Sequence, residues 1–395
     1  MNNICTGSCL ECGKCAVQYR ALPVLETFGG AAPAFKPREG YGIAADIGTT
    51  TAVLALLNLY TGKIEARHSF INPQAAYGPD VISRISAANG GGLEELRRLI
   101  TAAVSAGIAE ILASRGLRPR DIKDIAAAGN TAMTYLLLGL PCRSLGVYPF
   151  LPEYRTEPVY PYEAVFGDSL LSCPVRIMPW LAAFVGGDIT AGLIYTKAMA
   201  AKQFLLIDLG TNGEMALYDR GRLTVTSAAA GPAFEASAPA QGGGASGVIS
   251  LLAGLVRRGI ADETGLLTGE SVFTQKQIRD LQLAKSAVRS GLEILLKSSG
   301  LGYDGLERVY LAGGIGQAMN AADAADIGLI PAGLAGKTAA AGNAALGGAV
   351  FALLAPEETA AEAEKLRQEA VEINLAAHPD FNEYFLENMY FPCFS

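Results

Sequence analysis

The sequence predicts an α/β protein in which one strand-rich unit occurs twice, behind a short cysteine-rich N-terminal segment. The first observation behind this prediction is a repeated pattern, in which an apolar strand ends in Asp-x-Gly-Thr and two further strands follow, separated by a turn. The pattern begins at Asp46 and again at Asp208, which indicates an internal duplication. The second observation is composition, because 50% hydrophobic and 17% charged residues supply a core and exclude a disordered chain.

Length and net charge further restrict the classes of protein to which this chain could belong. A chain of 395 residues usually holds two or three domains of roughly 100–200 residues. The net charge of -7 argues against a surface built for nucleic acid phosphates. No stretch reaches the roughly 18 apolar residues of a membrane helix, and the N-terminus lacks the basic-then-apolar order of a signal peptide. We therefore expect a cytoplasmic protein with neither a membrane nor a nucleic acid as its partner.

The first unit begins at residue 41, where an apolar run starts. Tyr60-Thr61-Gly62 separates two strand-forming runs and predicts a hairpin. The spacing of apolar residues predicts the helices that follow. The predicted strands are 41–46, 51–58, 63–69 and 122–128, and the predicted helices are 80–88, 93–115, 131–138 and 188–200. Residues 141–180 are rich in Pro and Tyr, and we expect only short strands there.

The second unit repeats this order, with Asp219-Arg220-Gly221 as its hairpin turn. The predicted strands are 203–208, 214–218, 223–227 and 307–312, and the predicted helices are 248–259, 274–299, 342–354 and 357–372. An aromatic tail follows at residues 378–395, and we expect it to pack back onto the body.

These elements divide the chain into five parts. A four-cysteine segment at residues 1–15 precedes a linker at residues 16–40, in which Pro and Gly recur without a period. The first lobe covers residues 41–200 and the second lobe covers residues 201–355. Residues 356–395 form a C-terminal helix and the aromatic tail.

The cysteine segment contains four of the seven cysteines, at Cys5, Cys9, Cys12 and Cys15. Four thiolates this close can wrap one compact cofactor, and iron–sulfur clusters are held by four cysteines, often with two-residue gaps. Structural zinc usually uses two cysteine pairs separated by a dozen or more residues. The spacing favours a 4Fe-4S cluster, with zinc, thiol chemistry or an unstructured end as alternatives. The first three cysteines also match the radical S-adenosylmethionine spacing, but no series of βα units follows them.

The two Asp-x-Gly-Thr turns carry the second kind of chemistry. Their glycines let backbone N–H groups and threonine hydroxyls approach phosphate oxygens, and an Asp at a strand end can hold Mg²⁺ through water. One such turn would often be only a tight turn, whereas two turns that each open a three-strand unit favour a nucleotide site. The two stretches are Asp46-Ile47-Gly48-Thr49-Thr50-Thr51 and Asp208-Leu209-Gly210-Thr211-Asn212-Gly213-Glu214.

Three further stretches have ordinary structural interpretations as well. Asp188 begins a predicted helix and is equally well explained as a helix N-cap. Gly313 and Gly314 end a predicted strand, which is also typical of an ordinary strand–helix turn. Residues 341–349 predict a helix with a face of small residues.

The order of these five stretches resembles the phosphate-1, connect-1, phosphate-2, adenosine and connect-2 motifs of the actin, Hsp70 and sugar kinase (ASKHA) superfamily. The resemblance implies two ribonuclease-H-like lobes with ATP and Mg²⁺ in the cleft between them. It implies that Asp46 and Asp208 hold the waters of the metal, and that Asp188 orients a hydroxyl or a water. The implied nucleotide contacts are Gly48, Thr49, Thr50, Thr51, Gly210, Thr211, Asn212 and Gly213 for the phosphates, and Gly313 and Gly314 for the adenosine.

Within that superfamily, several stretches resemble the reductive activators of corrinoid proteins. They are Asn72-Pro73-Gln74, Gly78-Pro79-Asp80 with Arg84, Gly129-Asn130-Thr131-Ala132-Met133, Gly231-Pro232-Ala233-Phe234-Glu235 and the ending from His378. This resemblance implies ATP-coupled reduction of cob(II)alamin to cob(I)alamin in the corrinoid protein of a methyltransferase system, with an upstream low-potential electron donor. The long members of the group carry a plant-type 2Fe-2S domain of about a hundred residues, whereas here only 40 residues precede the first lobe.

Three alternatives remain at this stage. An activator of a 2-hydroxyacyl-CoA dehydratase shares the superfamily, but its cluster bridges a homodimer with few cysteines per chain. A metabolite kinase would use Asp188 as a base and would have no use for a cysteine-rich end. A nucleotide switch in the manner of Hsp70 would have zinc or nothing at residues 5–15. A homodimer is a further expectation for this chain.

Overall fold

A computed structural model describes residues 33–393 except 158, 198, 200, 211, 232, 238–243, 317 and 318. The predicted four-cysteine segment at residues 1–15 and most of the predicted linker lie outside this part of the chain. Within it, the predicted α/β class is confirmed, because two mixed β-sheets alternate with layers of helices.

The first sheet contains six strands in the described residues, in the order β3-β2-β1-β4-β6-β5. The first three strands form an antiparallel meander, and β4 and β6 continue the sheet parallel to β1. The strands are β1 (Tyr41–Ile47), β2 (Thr51–Asn58), β3 (Ile64–Ile71), β4 (Ile122–Gly129), β5 (Tyr160–Pro161) and β6 (Pro174–Ile177).

The second sheet repeats that arrangement, with the order β11-β10-β7-β8-β9-β12 in the described residues. Again three strands form an antiparallel meander, and two strands continue parallel to the first. The strands are β7 (Gln203–Leu209), β8 (Gly213–Asp219), β9 (Arg222–Ala228), β10 (Arg308–Ala312), β11 (Thr338–Gly342) and β12 (Ala370–Glu372). The predicted duplication is therefore confirmed, and β1 and β7 even share one order of buried and half-buried residues.

Helices cover the sheets on both faces. In the described residues they are α1 (Val81–Ala87), α2 (Leu93–Arg115), α3 (Thr131–Leu138), α4 (Tyr162–Phe166), α5 (Gly187–Lys197), α6 (Ala233–Ala236), α7 (Gly244–Arg257), α8 (Gln275–Ser299), α9 (Gly313–Gly316), α10 (Ala321–Asp326), α11 (Ala344–Leu354), α12 (Pro356–Glu369) and α13 (Phe381–Glu387). Sequence signals explain several of their ends. Thr274 caps α8 with a reciprocal Gln277 contact, and left-handed Gly116 and Gly139 end α2 and α3.

Two predicted helices were wrong at their ends. The prediction of a helix over 342–354 missed β11, which occupies residues 338–342 before the helix begins at Ala344. The prediction of a helix over 357–372 missed β12, a three-residue edge strand paired with β9. In both cases pairing with a distant strand decides the conformation, and local sequence carries little sign of it.

The core forms layers on either side of the two sheets. Helices α2 and α3 pack on the outer face of the first sheet, and α7 and α8 pack on the outer face of the second. Between the sheets lie α5 and α11, which share one apolar cluster with both of them. A Cβ atom added to Gly348 would lie 2.2 Å from the backbone oxygen of Ala191, so small residues let these two helices cross closely.

The C-terminal segment packs along α8. Buried polar side chains of α8 donate hydrogen bonds to backbone carbonyls of the segment. These carbonyls follow the end of α13, where backbone acceptors lack partners within the helix. Lys285 Nζ donates to the carbonyls of Asn388 at 2.5 Å and Tyr390 at 2.7 Å, and Gln282 donates to the carbonyl of Met389 at 3.0 Å. The expectation that the tail packs onto the body agrees with these contacts for the residues up to 393.

No helix in the described residues combines the length and the apolar character that spanning a membrane requires.

Candidate functional site

We call the two Asp-x-Gly-Thr turns phosphate-type turns. The first of them joins β1 to β2. A Cβ atom at Gly48 would lie 2.4 Å from the carbonyl oxygen of Thr51, so this turn accepts only glycine there. Thr49 is buried in the turn, and Thr51 begins β2. The turn therefore presents backbone and hydroxyl groups at the end of the sheet, directly after Asp46 in the chain.

Two asparagines fix the shape of this turn. Asn72 Nδ2 donates to the carbonyl of Gly48 at 2.9 Å, and its backbone N–H donates to the carbonyl of Thr50 at 2.9 Å. Asn130 Nδ2 donates to Thr49 Oγ1 at 3.0 Å. Both asparagines belong to stretches that the sequence singles out, and their positions give those stretches a physical role in holding the turn.

A buried arginine lies behind the same turn. Arg84 is fully buried, and its Nε donates to the carbonyl of Gly78 at 3.0 Å. Its Nη1 and the side chain of Asn72 both contact Met133 Sδ, at 3.4 Å and 3.6 Å. Burial lowers the pKa of Arg84 to about 10. The described residues offer no hydrogen-bond partner for Arg84 Nη2.

The second turn joins β7 to β8. The N–H of Gly210 donates to the carbonyl of Asn212 at 3.0 Å, and Asn212 Nδ2 donates to Glu214 Oε1 at 3.4 Å. No atom of the described residues lies within 4 Å of a Cβ atom built on Gly210, so the turn faces open space. Thr211, which the sequence predicts as a phosphate contact, lies outside the described residues.

Helix α5 brings a third acidic residue to the two turns. Its approach depends on Gly186, where a Cβ atom would lie 2.3 Å from the Cα of Asn130. Asp188 lies inside the first turn of α5, and its Oδ1 accepts a hydrogen bond from the N–H of Ile189 at 2.8 Å. The N-cap interpretation requires Asp188 to be the residue immediately before the helix. Asp188 instead lies within the helix.

Four carboxylates share the site, namely Asp46, Asp188, Asp208 and Glu214. Burial is the main cause that raises their pKa values, and repulsion between the carboxylates adds to it for all but Asp46. The pKa of Asp46 rises to about 6 and that of Asp188 to about 7, while those of Asp208 and Glu214 lie well above their usual range.

None of the four carboxylates forms an ion pair with a lysine or an arginine of the described chain. When ionised, they therefore have no cationic partner among these residues, and a bound cation would favour the ionised form. Glu214 lies directly opposite Asp208 in the register of β7 and β8, whereas Val53 holds the corresponding place opposite Asp46. The two units are thus unequal at this position.

The described residues contain no group of three or more His, Cys, Asp or Glu side chains arranged to hold a metal ion directly. The carboxylates fit Mg²⁺ held through its waters, because Mg²⁺ loses water reluctantly and takes few protein ligands. The predicted iron–sulfur ligands Cys5, Cys9, Cys12 and Cys15 lie outside the described residues.

The helix α11 connects the second unit to Asp46. Asn343 precedes this helix, and its Oδ1 accepts a hydrogen bond from the N–H of Leu346 at 2.7 Å, as an N-cap does. Its Nδ2 donates to Asp46 Oδ2 at 2.7 Å. This hydrogen bond counteracts the effect of burial and lowers the pKa of Asp46.

The glycines after β10 lie against the second turn. Gly313 has a φ of +79°, a left-handed conformation that favours glycine, and a Cβ atom there would lie 2.2 Å from Asp208 Oδ1. No described atom lies within 4 Å of a Cβ atom built on Gly314. Gly313 therefore permits the strand end to approach Asp208, while Gly314 borders open space.

The family is evident from two adjacent matches. Residues 41–201 match the RACo middle region, and residues 202–252 and 260–394 match the C-terminal domain of RACo, the ASKHA domain. The chain belongs to the RACo family. Its body of two related sheets is accordingly an ASKHA-type α/β fold, as the order of the sequence motifs implied.

Named relatives agree with this assignment. The chain is 29% identical over 434 residues to the corrinoid activation enzyme RamQ of Eubacterium limosum, covering 90% of this chain and 71% of the relative. It is 25% identical over 383 residues to a Co(II) methylated amine-specific corrinoid protein reductase of Methanosarcina barkeri, covering 78% and 68% of the two chains. A solved structure, the reductive activator for a corrinoid, iron-sulfur protein, has 30% identity and a TM-score of 0.81, covering 90% and 67%.

Sequence reasoning missed two residues of this site. Glu214 is the second residue of β8, whose other residues are mostly buried and apolar, and this polar exception was the available signal. Asn343 precedes a helix in a position typical of a cap, but nothing local indicates its hydrogen bond to a residue 297 positions away. The thiols of Cys142 and Cys173 are buried, and burial raises the pKa of each to about 12.

Proposed function

We propose that this protein is an ATP-dependent reductive activator, which returns the cob(II)alamin of a corrinoid protein to cob(I)alamin. Membership of the RACo family supports this proposal, as do relatives named as a corrinoid activation enzyme, a Co(II) corrinoid protein reductase and a reductive activator. The single observation of this structure that carries it is the carboxylate site, at which two phosphate-type turns and the start of α5 meet.

The nucleotide is proposed to bind between the two lobes, residues 41–200 and 201–355. The phosphates would contact the turns of Gly48 to Thr51 and Gly210 to Gly213, with Thr211 and Asn212 in the second turn. Gly313 and Gly314 would lie against the adenosine. Open space at Gly210 and Gly314 supports these assignments, because a ligand can approach the backbone closely there.

Mg²⁺ is proposed to accompany the nucleotide. The uncompensated charge of the four carboxylates makes this site unfavourable for a free nucleotide anion and favourable for its magnesium complex. Asp46 and Asp208 would accept hydrogen bonds from metal-bound waters. Asp188, whose raised pKa suits a group that exchanges a proton near neutral pH, would orient the attacking water during hydrolysis.

Nucleotide binding is proposed to control how the two lobes close. A ligand that contacts both turns favours the arrangement in which the turns face each other, by the difference in its affinity for the open and closed forms. The contact of Asn343 with Asp46 and the close crossing of α5 and α11 connect the two units at this place. Closure would then alter the affinity for the corrinoid protein or the barrier to electron transfer.

The four cysteines of residues 1–15 are proposed to hold a 4Fe-4S cluster. Their number and spacing fit such a cluster by the chemistry of the donor set. When bound, the cluster supplies one electron at low potential, and the cobalt gains one electron on going from cob(II)alamin to cob(I)alamin. An upstream low-potential donor restores the electron. A cytoplasmic, reducing location and a homodimer remain part of this proposal.

One experiment tests the proposed iron–sulfur cluster and the proposed ATP-dependent reduction together. The full-length protein is purified without oxygen, its iron, sulfide and zinc are measured, and a cob(II)alamin protein is then offered with Mg–ATP and a chemical reductant of low potential. Reduction is followed as loss of the electron paramagnetic resonance signal of cob(II). We expect four iron and four sulfide per chain and loss of the cob(II) signal.

Cysteine variants supply the control. Replacing Cys9 and Cys12 with Ala should abolish iron binding and reduction while nucleotide binding persists. Cys393→Ala is the matched control, because this thiol is exposed and contacts only Glu263 among the described residues. An iron-free wild type that phosphorylates a sugar would overturn the proposal in favour of a metabolite kinase.

A further inference from the structure

A cavity of about 670 Å³ differs in its lining from the carboxylate site. One wall consists of residues 152–157 together with the end of β6 and the residues after it, and the other wall is one face of α12. No residue of the two phosphate-type turns and none of the four carboxylates lines it within the described chain. Its volume lies in the range of small-molecule sites, roughly 300–1,000 Å³.

Arginines make this cavity a site for an anion. Arg155, Arg176 and Arg367 line it, together with the carboxylates Glu157 and Glu364. Arg367 is paired with Glu364 through two hydrogen bonds, whereas Arg155 forms no ion pair within the described residues. Arg176 contacts buried Asp124 through Nε alone, so its two terminal nitrogens have no hydrogen bond to any residue that the structure describes. Arginine side chains bind planar carboxylate, sulfonate-like or phosphate groups through paired N–H donors.

The floor of the cavity is aromatic and apolar. Trp180 lines it and is only 5% exposed, with its ring held 5.0 Å from the ring of Tyr135. Met178 and Leu181 lie beside it, and Tyr154 closes one edge. A flat ring system bound here would contact this apolar floor, and its anionic group would reach the arginines.

We propose that this cavity binds an aromatic organic anion, a ligand with a flat ring system and one carboxylate, sulfonate or phosphate group. The site draws one wall from the RACo middle region and the other from the ASKHA domain. Because the ligand contacts both regions, it binds best to one arrangement of them and stabilises that arrangement. This site is separate from the nucleotide cleft and does not depend on the proposed function.

Trp180 provides a direct readout, because it is the single tryptophan of the chain. The probe is 8-anilinonaphthalene-1-sulfonate, an aromatic anion that absorbs where tryptophan emits. We expect saturable quenching of Trp180 with one probe per full-length chain and matching sensitised emission. The neutral analogue N-phenyl-1-naphthylamine should bind at least tenfold more weakly.

Variants separate this site from general dye binding. Arg155→Ala should weaken the quenching affinity at least tenfold, because Arg155 is the arginine of the cavity that forms no ion pair within the described residues. Arg98→Ala is the control, since Arg98 is exposed on α2 and does not line the cavity. Equal affinity of the Arg155→Ala variant and the wild type, or equal affinity for the neutral analogue, would each overturn the proposal.

Discussion

Asn343 Nδ2 donates a 2.7 Å hydrogen bond to Asp46 Oδ2, and this contact joins the start of α11 to the end of β1. The same asparagine caps α11 through its Oδ1. One side chain therefore stabilises a helix of the central layer and orients a carboxylate of the proposed nucleotide site.

The two roles of Asn343 can be separated by substitution. Asn343→Ala should lower the free energy of unfolding by about 1 kcal/mol, because an N-cap is lost. Asn343→Ser retains a capping oxygen and should remain close to the wild type in urea unfolding. Neither variant retains the amide donor to Asp46, and both should bind Mg–ADP several-fold more weakly in calorimetric titration. Wild-type nucleotide affinity in the serine variant would contradict the role assigned to this hydrogen bond.

Glu214→Gln should change stability and cation binding in opposite directions. Without divalent cations at pH 8, the variant should be more stable by about 1–2 kcal/mol, because a carboxyl group whose ionised form is disfavoured by burial is replaced by a neutral amide. Affinity for Mg²⁺ with nucleotide should fall about five- to tenfold, since an attractive charge is lost. Urea unfolding with a chelator and calorimetry measure the two effects.

Glu270→Gln is the control for that pair of measurements, because Glu270 is exposed in the loop before α8. It should alter neither quantity. A Glu214→Gln variant with unchanged cation affinity would show that Glu214 is not part of the cation site.

The crossing of α5 and α11 predicts a steric effect. Gly348→Ala should destabilise the protein by about 1–3 kcal/mol, because its Cβ atom would collide with the backbone oxygen of Ala191. Gly254→Ala lies within α7, where no described atom is within 4 Å of the new Cβ atom. This control should be neutral or stabilising by up to about 1 kcal/mol. Equal effects of the two substitutions on thermal unfolding would contradict the close crossing.

The buried amine of Lys285 predicts a pH dependence. Burial lowers its pKa to about 7, whereas an unfolded lysine titrates near 10.4. Between pH 7 and pH 10 the unfolded chain therefore binds one proton more, so this residue makes unfolding less favourable as pH rises. Compared with that of Lys285→Met, the free energy of unfolding of the wild type should increase by up to about 1.4 kcal/mol per pH unit above pH 7.

Urea unfolding at pH 7, 8 and 9 measures that gain. Lys276→Met is the control, because Lys276 lies exposed on the same helix, and its difference from wild type should not vary with pH. A difference for Lys285→Met that stays constant or falls with rising pH would contradict the buried, neutral amine.

Much of the fold could be predicted from the sequence because local signals carried it. The β1–β2 and β7–β8 hairpins have apolar strands, each with a glycine-containing turn, and α8 has a capping threonine. Strand β11 carried no such signal, since residues 338–342 are mostly alanine and glycine. Its conformation depends on pairing with β10, which a local pattern does not reveal.

The candidate site was predictable in part for a related reason. Asp46 and Asp208 each end a strand in a repeated pattern, so their equivalence is visible in the sequence. Glu214 becomes part of the site through its register opposite Asp208, and Asn343 through contact between distant elements. Such relationships arise from tertiary packing and have no fixed spacing along the chain.

The most direct test of the account is the rate of cob(II) loss with and without Mg–ATP, followed by electron paramagnetic resonance under a constant supply of low-potential reductant. Wild type should reduce the corrinoid at least tenfold faster with Mg–ATP than without it. Asp208→Asn should lose this acceleration while retaining its iron and sulfide. A reduction rate that is independent of both Mg–ATP and Asp208 would contradict an ATP-driven reductive activator.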